Sequence, residues 1–303
     1  MKIRLISGSV YVLILATFFL LKIFAHDLAF DALIWFFAVM GTFEMTRALK
    51  EKITKAEQIC TWLFAIICIP SCSLFESVLF GGGYGVEAAA VCFLAFAVAV
   101  LSLLVAKHEE TSLESVGVTL LSGVYPTMLL CVLSLCNHFD GGAALSKYAF
   151  NSNLAILFIF VVSPVADSLA YVFGRLLKGK FPKKMAPVVS PNKTVVGGIG
   201  GLFGGVLAGV VLYFAYNGVC GSFDKAYLFL PVYLGVGLVS AIATAWGDLI
   251  ESCVKRKVGL KDMGKIMPGH GGVLDRIDGT LFASIVVYAA FTIVKIILYR
   301  DKG

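Results

Sequence analysis

Between Ser252 and Asp278 the chain brings cations, carboxylates and glycines close together. Lys255, Arg256, Lys257, Lys261, Asp262, Lys265, Asp275, Arg276 and Asp278 are interleaved with Gly259, Gly269, His270, Gly271 and Gly272. Cations neutralise phosphate, carboxylates hold a hard metal ion, and glycines free backbone N–H groups to face an anion. A polyphosphate bound together with a metal ion requires this mixture. Asp275 and Asp278 are three apart, so a helix from about 274 to 298 turns both to one face. Asp248, at the end of the preceding apolar run, offers a third carboxylate. Three carboxylates from two helices make an oxygen-rich site suited to Mg²⁺, and a second cation nearby would suit a polyphosphate. Spacing alone equally permits interfacial salt bridges from Asp248, Asp275 and Asp278 to Lys255, Arg256 and Arg276.

Three further groups of residues stand beside this segment. Pro268-Gly269-His270-Gly271-Gly272 directly precedes the last apolar run, where a helix N-terminus and a glycine turn together suit a phosphate. The GxxxxGK[ST] spacing of a nucleotide-binding P-loop is missing, and a glycine-rich turn can also be only a turn. Ser190-Pro191-Asn192-Lys193-Thr194 precedes a glycine-rich run. Its hydroxyls are phosphate ligands or a helix cap, and capping does not account for Lys193. Asp167, Tyr171 and Arg175 follow at i, i+4 and i+8, one polar stripe that either lines a site or joins helices.

The elements that must position these residues are apolar. The chain is 59% hydrophobic, with a mean hydropathy of +0.92, more than an ordinary soluble domain carries. Lipid must be the solvent for much of its surface. Nine apolar segments can be marked, at about 5–25, 29–46, 59–80, 86–106, 113–136, 154–174, 195–216, 227–250 and 279–298. Most approach the roughly 20 residues a membrane helix needs. The second is short, and Glu44 near its end weakens it. Lys2 and Arg4 precede the first segment, but no small-residue cleavage site follows, so it reads as a retained helix rather than a signal peptide. The pattern predicts an all-α, polytopic integral membrane helical bundle of about nine transmembrane helices.

Loop charge orients the spans. Arg47, Lys50, Lys52, Lys55, Lys107, the six cations from Arg175 to Lys193 and those from Lys255 to Arg276 all fall in even-numbered loops. The odd loops hold Lys147 and Lys225, with Lys22 at a boundary. The positive-inside rule then puts the N-terminus and the even loops in the cytoplasm. Nine spans leave Lys295, Arg300 and Lys302 on the far side, against that rule. Residues 1–150 read as a scaffold and 151–303 as the catalytic region, with the active site at its cytoplasmic side. Gly197, Gly198, Gly200, Gly201, Gly204, Gly205 and Gly209 crowd the seventh span and predict close helix packing. The net charge of +6 does not point to nucleic acid, because the basic residues lie in loops between apolar runs, facing an anionic leaflet or anionic ligands. The eight cysteines form no CxxC pair and no zinc-type spacing, and read as small buried hydrophobes.

Taken together, these residues resemble the phosphatidate cytidylyltransferases, also called CDP-diacylglycerol synthases. That family's signature runs S-x-[apolar]-K-R-x4-K-D-x-[small]-x2-[apolar]-[P/G]-x-H-G-G-[apolar]-x-D-R-[apolar]-D. Ser252, Val254, Lys255, Arg256, Lys261, Asp262, Gly264, Met267, Pro268, His270, Gly271, Gly272, Val273, Asp275, Arg276, Ile277 and Asp278 occupy it in register. Met267 departs mildly. The stretches 167–175, 190–194 and 247–252 also look like family blocks. After S-P-x-K-T the family often has an aromatic, then Glu or Gln, then Gly, where this chain has Val195-Val196-Gly197. Val196 cannot supply the polar contact of that Glu or Gln.

The resemblance implies transfer of CMP from CTP to phosphatidic acid, giving CDP-diacylglycerol and pyrophosphate, with Mg²⁺. It implies Asp248, Asp275 and Asp278 at the metal, with Lys255 and Arg256 also catalytic. Lys193, Lys255, Arg256, Lys261 and Arg276 would hold the phosphates of CTP and lipid, with Ser190, Thr194, Ser252 and Asp262 also at the substrate site. His270, Gly271 and Gly272 would shape the nucleotide pocket, and Asp167, Tyr171 and Arg175 would line the lipid headgroup's cavity. The implied setting is a bacterial-type inner membrane, with membrane lipids as neighbours and a homodimer left open. A CTP-dependent lipid kinase of the dolichol-kinase type is the main rival. A transporter is a weaker one, because its charges belong at the bilayer midplane.

Overall fold

The computed structural model describes residues 2–77, 82–139, 150–220, 229–269 and 271–300. Among them the chain is almost wholly helical. Helices α1 (Lys2–Phe24), α2 (Leu28–Ala48), α3 (Lys55–Glu76) and α4 (Gly85–Ala106) come first. Next, α5 (Leu113–Gly123), a π-helical turn (Val124–Met128) and α6 (Leu129–Asn137) run on as one span. Helices α7 (Ser152–Leu177), α8 (Val195–Cys220), α9 (Leu230–Lys257) and α10 (Leu274–Arg300) complete the set. A small antiparallel hairpin, β1 (Lys184–Ala186) and β2 (Ser190–Thr194), joins α7 to α8. Nine helices among the described residues are long and apolar enough to cross a membrane. The protein is an all-α, polytopic integral membrane protein.

Two compact units emerge. One comprises residues 1–138 with 257–277, the other residues 139–256 with 278–303. The charged segment therefore contributes to both.

In the first unit, polar groups fix how the helices start and meet. Thr54 caps α3 in a reciprocal box with Glu57, and Glu57 Oε1 also accepts from Ser115 Oγ at 2.9 Å on α5. A buried carboxylate thus joins two helix starts, with both of its oxygens hydrogen-bonded. Pro126 has no N–H for the helical ladder, and the fifth span passes it as the π turn. Gly41 of α2 lies against that proline: a Cβ on Gly41 would come within 3.3 Å of the Pro126 Cβ. Phe64 and Phe96 stack at 4.5 Å between α3 and α4.

The far ends of these helices enclose a second polar knot. Asp31 accepts from Ser134 Oγ at 2.8 Å and from Ser73 Oγ at 2.5 Å, and it pairs with His138. Burial opposes the imidazole's charge, and Lys22 opposes it too. The hydrogen bond and charge of Asp31, with the charge of Asp27, outweigh them and raise the His138 pKa above its ordinary value. Cys68 and Cys131 approach to 3.4 Å in the same unit, and no disulfide joins the described cysteines.

In the second unit, glycines do the positioning. A Cβ at Gly204 would meet Ala166 Cα at 2.9 Å and Val165 O at 3.0 Å, so α8 lies directly on the backbone of α7. Gly205 and Gly209 do the same against Gly237 and Tyr233 of α9. The seventh span's glycine stripe is thus a packing surface used on two sides, as small residues in membrane helices allow. Phe150, Phe158, Tyr233 and Phe291 form the aromatic core, with neighbouring rings tilted or edge-to-face at 5.2–6.1 Å.

Candidate active site

The second unit holds a charged cluster at one end of its helices. Asp248, half-buried on α9, pairs with Lys193 of β2 and accepts a 3.3 Å hydrogen bond from Ser252 Oγ one turn later. Glu251, fully buried, holds Lys255 Nζ at 2.7 Å, also one turn on. Asp278 of α10 lies beside Glu251 and close enough to Asp248 and Asp167 to feel their charges. Its Oδ1 also accepts from the N–H of Gly279 at 2.7 Å. Two helix periodicities and one hairpin thus deliver Asp248, Glu251, Asp278, Lys193 and Lys255 to one place.

Glycine makes this approach possible. A Cβ at Gly247 would sit 2.6 Å from the carbonyl oxygen of Asp278 and 2.6 Å from Phe282 Cδ2. Gly279 likewise lies against Thr244 and Ser163. Glycine beside the first carboxylate and after the last lets α9 and α10 touch at the level of Asp248 and Asp278.

Around the cluster, β2 presents Ser190 and Lys193, while Thr194 turns inward and accepts from the N–H of Gly197 at 3.0 Å. Thr194 is therefore the cap of α8. Arg175 donates to the Tyr171 hydroxyl at 3.0 Å on the exposed side of α7, with Asp167 one turn earlier, so the expected stripe is present as a helical ladder. Arg256 is exposed at the end of α9.

The first unit holds the rest of the signature, and here the anion at the helix start is the chain's own. Gly259, Gly269 and Gly271 adopt positive φ (70°, 77° and 89°), which L side chains resist. Met267 and Gly271 exchange backbone hydrogen bonds at 2.9 and 3.1 Å and close the turn between them. His270 lies outside the described residues. Asp275 Oδ2 accepts from the N–H groups of Gly272 at 2.8 Å and Met263 at 2.9 Å. Glu44, 2% exposed on α2, accepts from Val273 N at 3.0 Å and Leu274 N at 2.9 Å. The N–H groups freed here, where a phosphate was expected, are held by two carboxylates. Lys261, Asp262 and Arg276 stay exposed around this knot.

Sequence reasoning missed Glu44 and Glu251. Both carried a usable signal: an ionisable residue within an apolar span normally has a designated partner. Glu44 weakened its segment as a span, yet α2 runs its full length because two N–H groups satisfy the carboxylate.

A divalent cation needs hard oxygen ligands in surplus over local cations. Asp248 and Asp278 are neighbouring carboxylates whose mutual repulsion such an ion would relieve, so the donor chemistry fits Mg²⁺. Among the described residues, no three His, Cys, Asp or Glu side chains are already gathered as a cage.

The described residues thus form a many-spanning membrane protein with carboxylates and lysines paired at the ends of its helices. The chain belongs to the cytidylyltransferase family, whose profile matches residues 2–294. It is similar to the phosphatidate cytidylyltransferase of Staphylococcus haemolyticus (strain JCSC1435), at 43% identity over 127 residues, covering 42% of this chain and 45% of that protein. The phosphatidate cytidylyltransferases of Staphylococcus aureus (strain COL) and Staphylococcus epidermidis (strain ATCC 12228 / FDA PCI 1200) match over the same length at 40% and 41% identity. The chain thus spans a little under half the length of the curated relatives it matches.

Proposed function

We propose that this protein is a phosphatidate cytidylyltransferase. It transfers CMP from CTP to phosphatidic acid and releases CDP-diacylglycerol and pyrophosphate. The observation that carries this reading is the cluster of Asp248, Glu251 and Asp278 with Lys193 and Lys255. It stands at the ends of membrane-spanning helices, where a lipid phosphate and a water-soluble nucleotide can both arrive. The distribution of Lys and Arg supports a cytoplasmic orientation for that end.

The chemistry asks little of a protein nucleophile, because the lipid phosphate is already an anion. Its oxygen attacks the α-phosphorus of CTP, and the bond to the β-phosphate oxygen breaks as pyrophosphate leaves. Catalysis then rests on charge neutralisation and in-line placement. Lys193 would leave Asp248 for a phosphate oxygen, a short move because the two are already paired. Lys255, kept from wandering by Glu251, would neutralise a second oxygen. Arg256, exposed at the end of α9, would meet an outer phosphate, and the family resemblance gives Lys261 and Arg276 the same role. Asp248 and Asp278 would hold Mg²⁺, which supplies Lewis-acid polarisation of the phosphates when bound. Asp275 is assigned to the loop, because one of its oxygens already serves two backbone amides.

The test is radiolabelled CTP with phosphatidic acid in detergent micelles. CDP-diacylglycerol and pyrophosphate are the expected products, and Asp278→Asn should lower turnover roughly a hundredfold or more. A lipid kinase would instead release CDP and phosphorylated lipid. Full turnover in Asp278→Asn would remove the metal assignment.

A further inference from the structure

Glu44 belongs to the first 150 residues, which read from the sequence as scaffold, yet its carboxylate reaches the signature loop. It is buried, and its two oxygens accept the N–H groups of Val273, the residue before α10, and Leu274, the first residue of α10. Two signature glycines are shaped around it. A Cβ at Gly264 or at Gly272 would land on the Glu44 carboxylate, and for Gly272 all three nearest atoms belong to that group. Neither glycine has positive φ, so what demands glycine at these two places is the space Glu44 fills. Asp275 completes the arrangement from the other side through Gly272 N and Met263 N.

We propose that Glu44 is a positioning residue: it locks Gly264, Gly272, Val273 and the start of α10 into the shape that presents Lys261 and Arg276 to nucleotide phosphate. This rests on the reading of the signature loop as part of a CTP site. The physical reason is the cost of a buried N–H without an acceptor. Two such groups sit beside each other at the positive end of a helix, where a carboxylate also interacts favourably with the helix dipole. Without Glu44 those groups would need water or another anion, and the loop would open to find one.

Three single variants and one double variant test this in detergent-solubilised protein. Glu44→Gln keeps one carbonyl acceptor but turns an amide N–H toward the second donor. Glu44→Ala removes both acceptors. Hydrogen–deuterium exchange at Val273 and Leu274 should quicken by about tenfold to a hundredfold in Glu44→Gln and by more in Glu44→Ala. KM for CTP should rise about tenfold or more while kcat falls less, because the loop holds phosphate rather than the reacting bond. Gly272→Ala should mimic Glu44→Ala, and in the Glu44→Ala background it should add nothing, since the clash is gone. Unchanged exchange at Val273 and Leu274 in Glu44→Gln would overturn the proposal. So would quickened exchange with KM for CTP untouched, or a Gly272→Ala effect that persists when Glu44 is gone. If Glu44→Ala does not fold, Glu44→Gln decides alone. Wild-type protein that makes no CDP-diacylglycerol would count against the CTP-site reading instead, and would leave the exchange result to judge the Glu44 clamp.

Discussion

Substituting Gly247 tests whether the close approach of α9 and α10 sets the geometry of the charged cluster. An alanine Cβ there would lie 2.6 Å from the Asp278 carbonyl oxygen, 2.6 Å from Phe282 Cδ2 and 3.2 Å from the Asp278 carbonyl carbon. Ordinary contact begins at 3.4 Å, so the helices must separate by about 0.8 Å, the difference between 3.4 and 2.6 Å. Rotation of Phe282 relieves one clash, but the carbonyl is backbone and cannot turn away. Overpacking of this kind costs about 1–3 kcal/mol. The displacement falls between Asp248, next to the substituted residue, and Asp278, whose own carbonyl is the obstacle. Misplacement of reacting groups by about 1 Å can cost a hundredfold in rate. We therefore expect Gly247→Ala to lower CDP-diacylglycerol formation by about ten- to a hundredfold while the protein still elutes as a folded species. The assay is initial rate against Mg²⁺ concentration, run beside a thermal unfolding curve. A variant with wild-type rate at every Mg²⁺ concentration would refute the claim that Asp248 and Asp278 work as a pair.

Two other perturbations have outcomes set by the structure. Gly204→Val should destabilise the protein by about 1–3 kcal/mol in chemical denaturation, because its Cβ meets the backbone of Val165 and Ala166; Gly218→Val on the same helix should be silent, since nothing lies within 4 Å of that Cβ. The His138–Asp31 pair should make stability depend on pH. The imidazole's folded pKa is raised, so the contribution is fully present below the unfolded value of about 6.5 and is lost as pH climbs through the folded value. Thermal midpoints measured across that window should fall with rising pH in wild type and flatten in His138→Gln; equal slopes would show that the pair contributes nothing.

The spans were legible because their cause is local. Twenty apolar residues bounded by charge have only one economical conformation in lipid, and all nine segments came out as helices near the expected limits. The glycine crowding of the seventh span was legible for a similar reason, since small residues in series serve close packing whatever lies opposite. The site was legible in part. Asp248 and Ser252, or Glu251 and Lys255, are one helical turn apart, and turn spacing is visible in a sequence. The pairing of Lys193 with Asp248 joins residues 55 positions apart through a hairpin, and no periodicity announces it. Val196, where the family often has a polar side chain, is the second residue of α8, just past the Thr194 cap, and the cap forms without it.

Glu44 shows why a polar residue in an apolar segment is easily misjudged. Hydropathy scores such a residue by what it would cost beside lipid, and by that measure it weakens the helix that carries it. The actual cost depends on whether donors wait at the right depth, and those donors here are backbone amides some 229 and 230 residues further along. Glycine at 264 and 272 clears the room, and the turn closed by Met267 and Gly271 brings the amides into line. The same logic separates Asp275 from Asp278, which the sequence presented as equals. Asp275 sits one residue into α10, where free N–H groups of the preceding loop are within reach, and one of its oxygens is spent on them. Asp278, three residues on, is past the free N–H groups of the loop, and its neighbours are Glu251, Asp248 and Asp167. Helix position alone thus gives Asp275 the loop amides and Asp278 the company of other carboxylates.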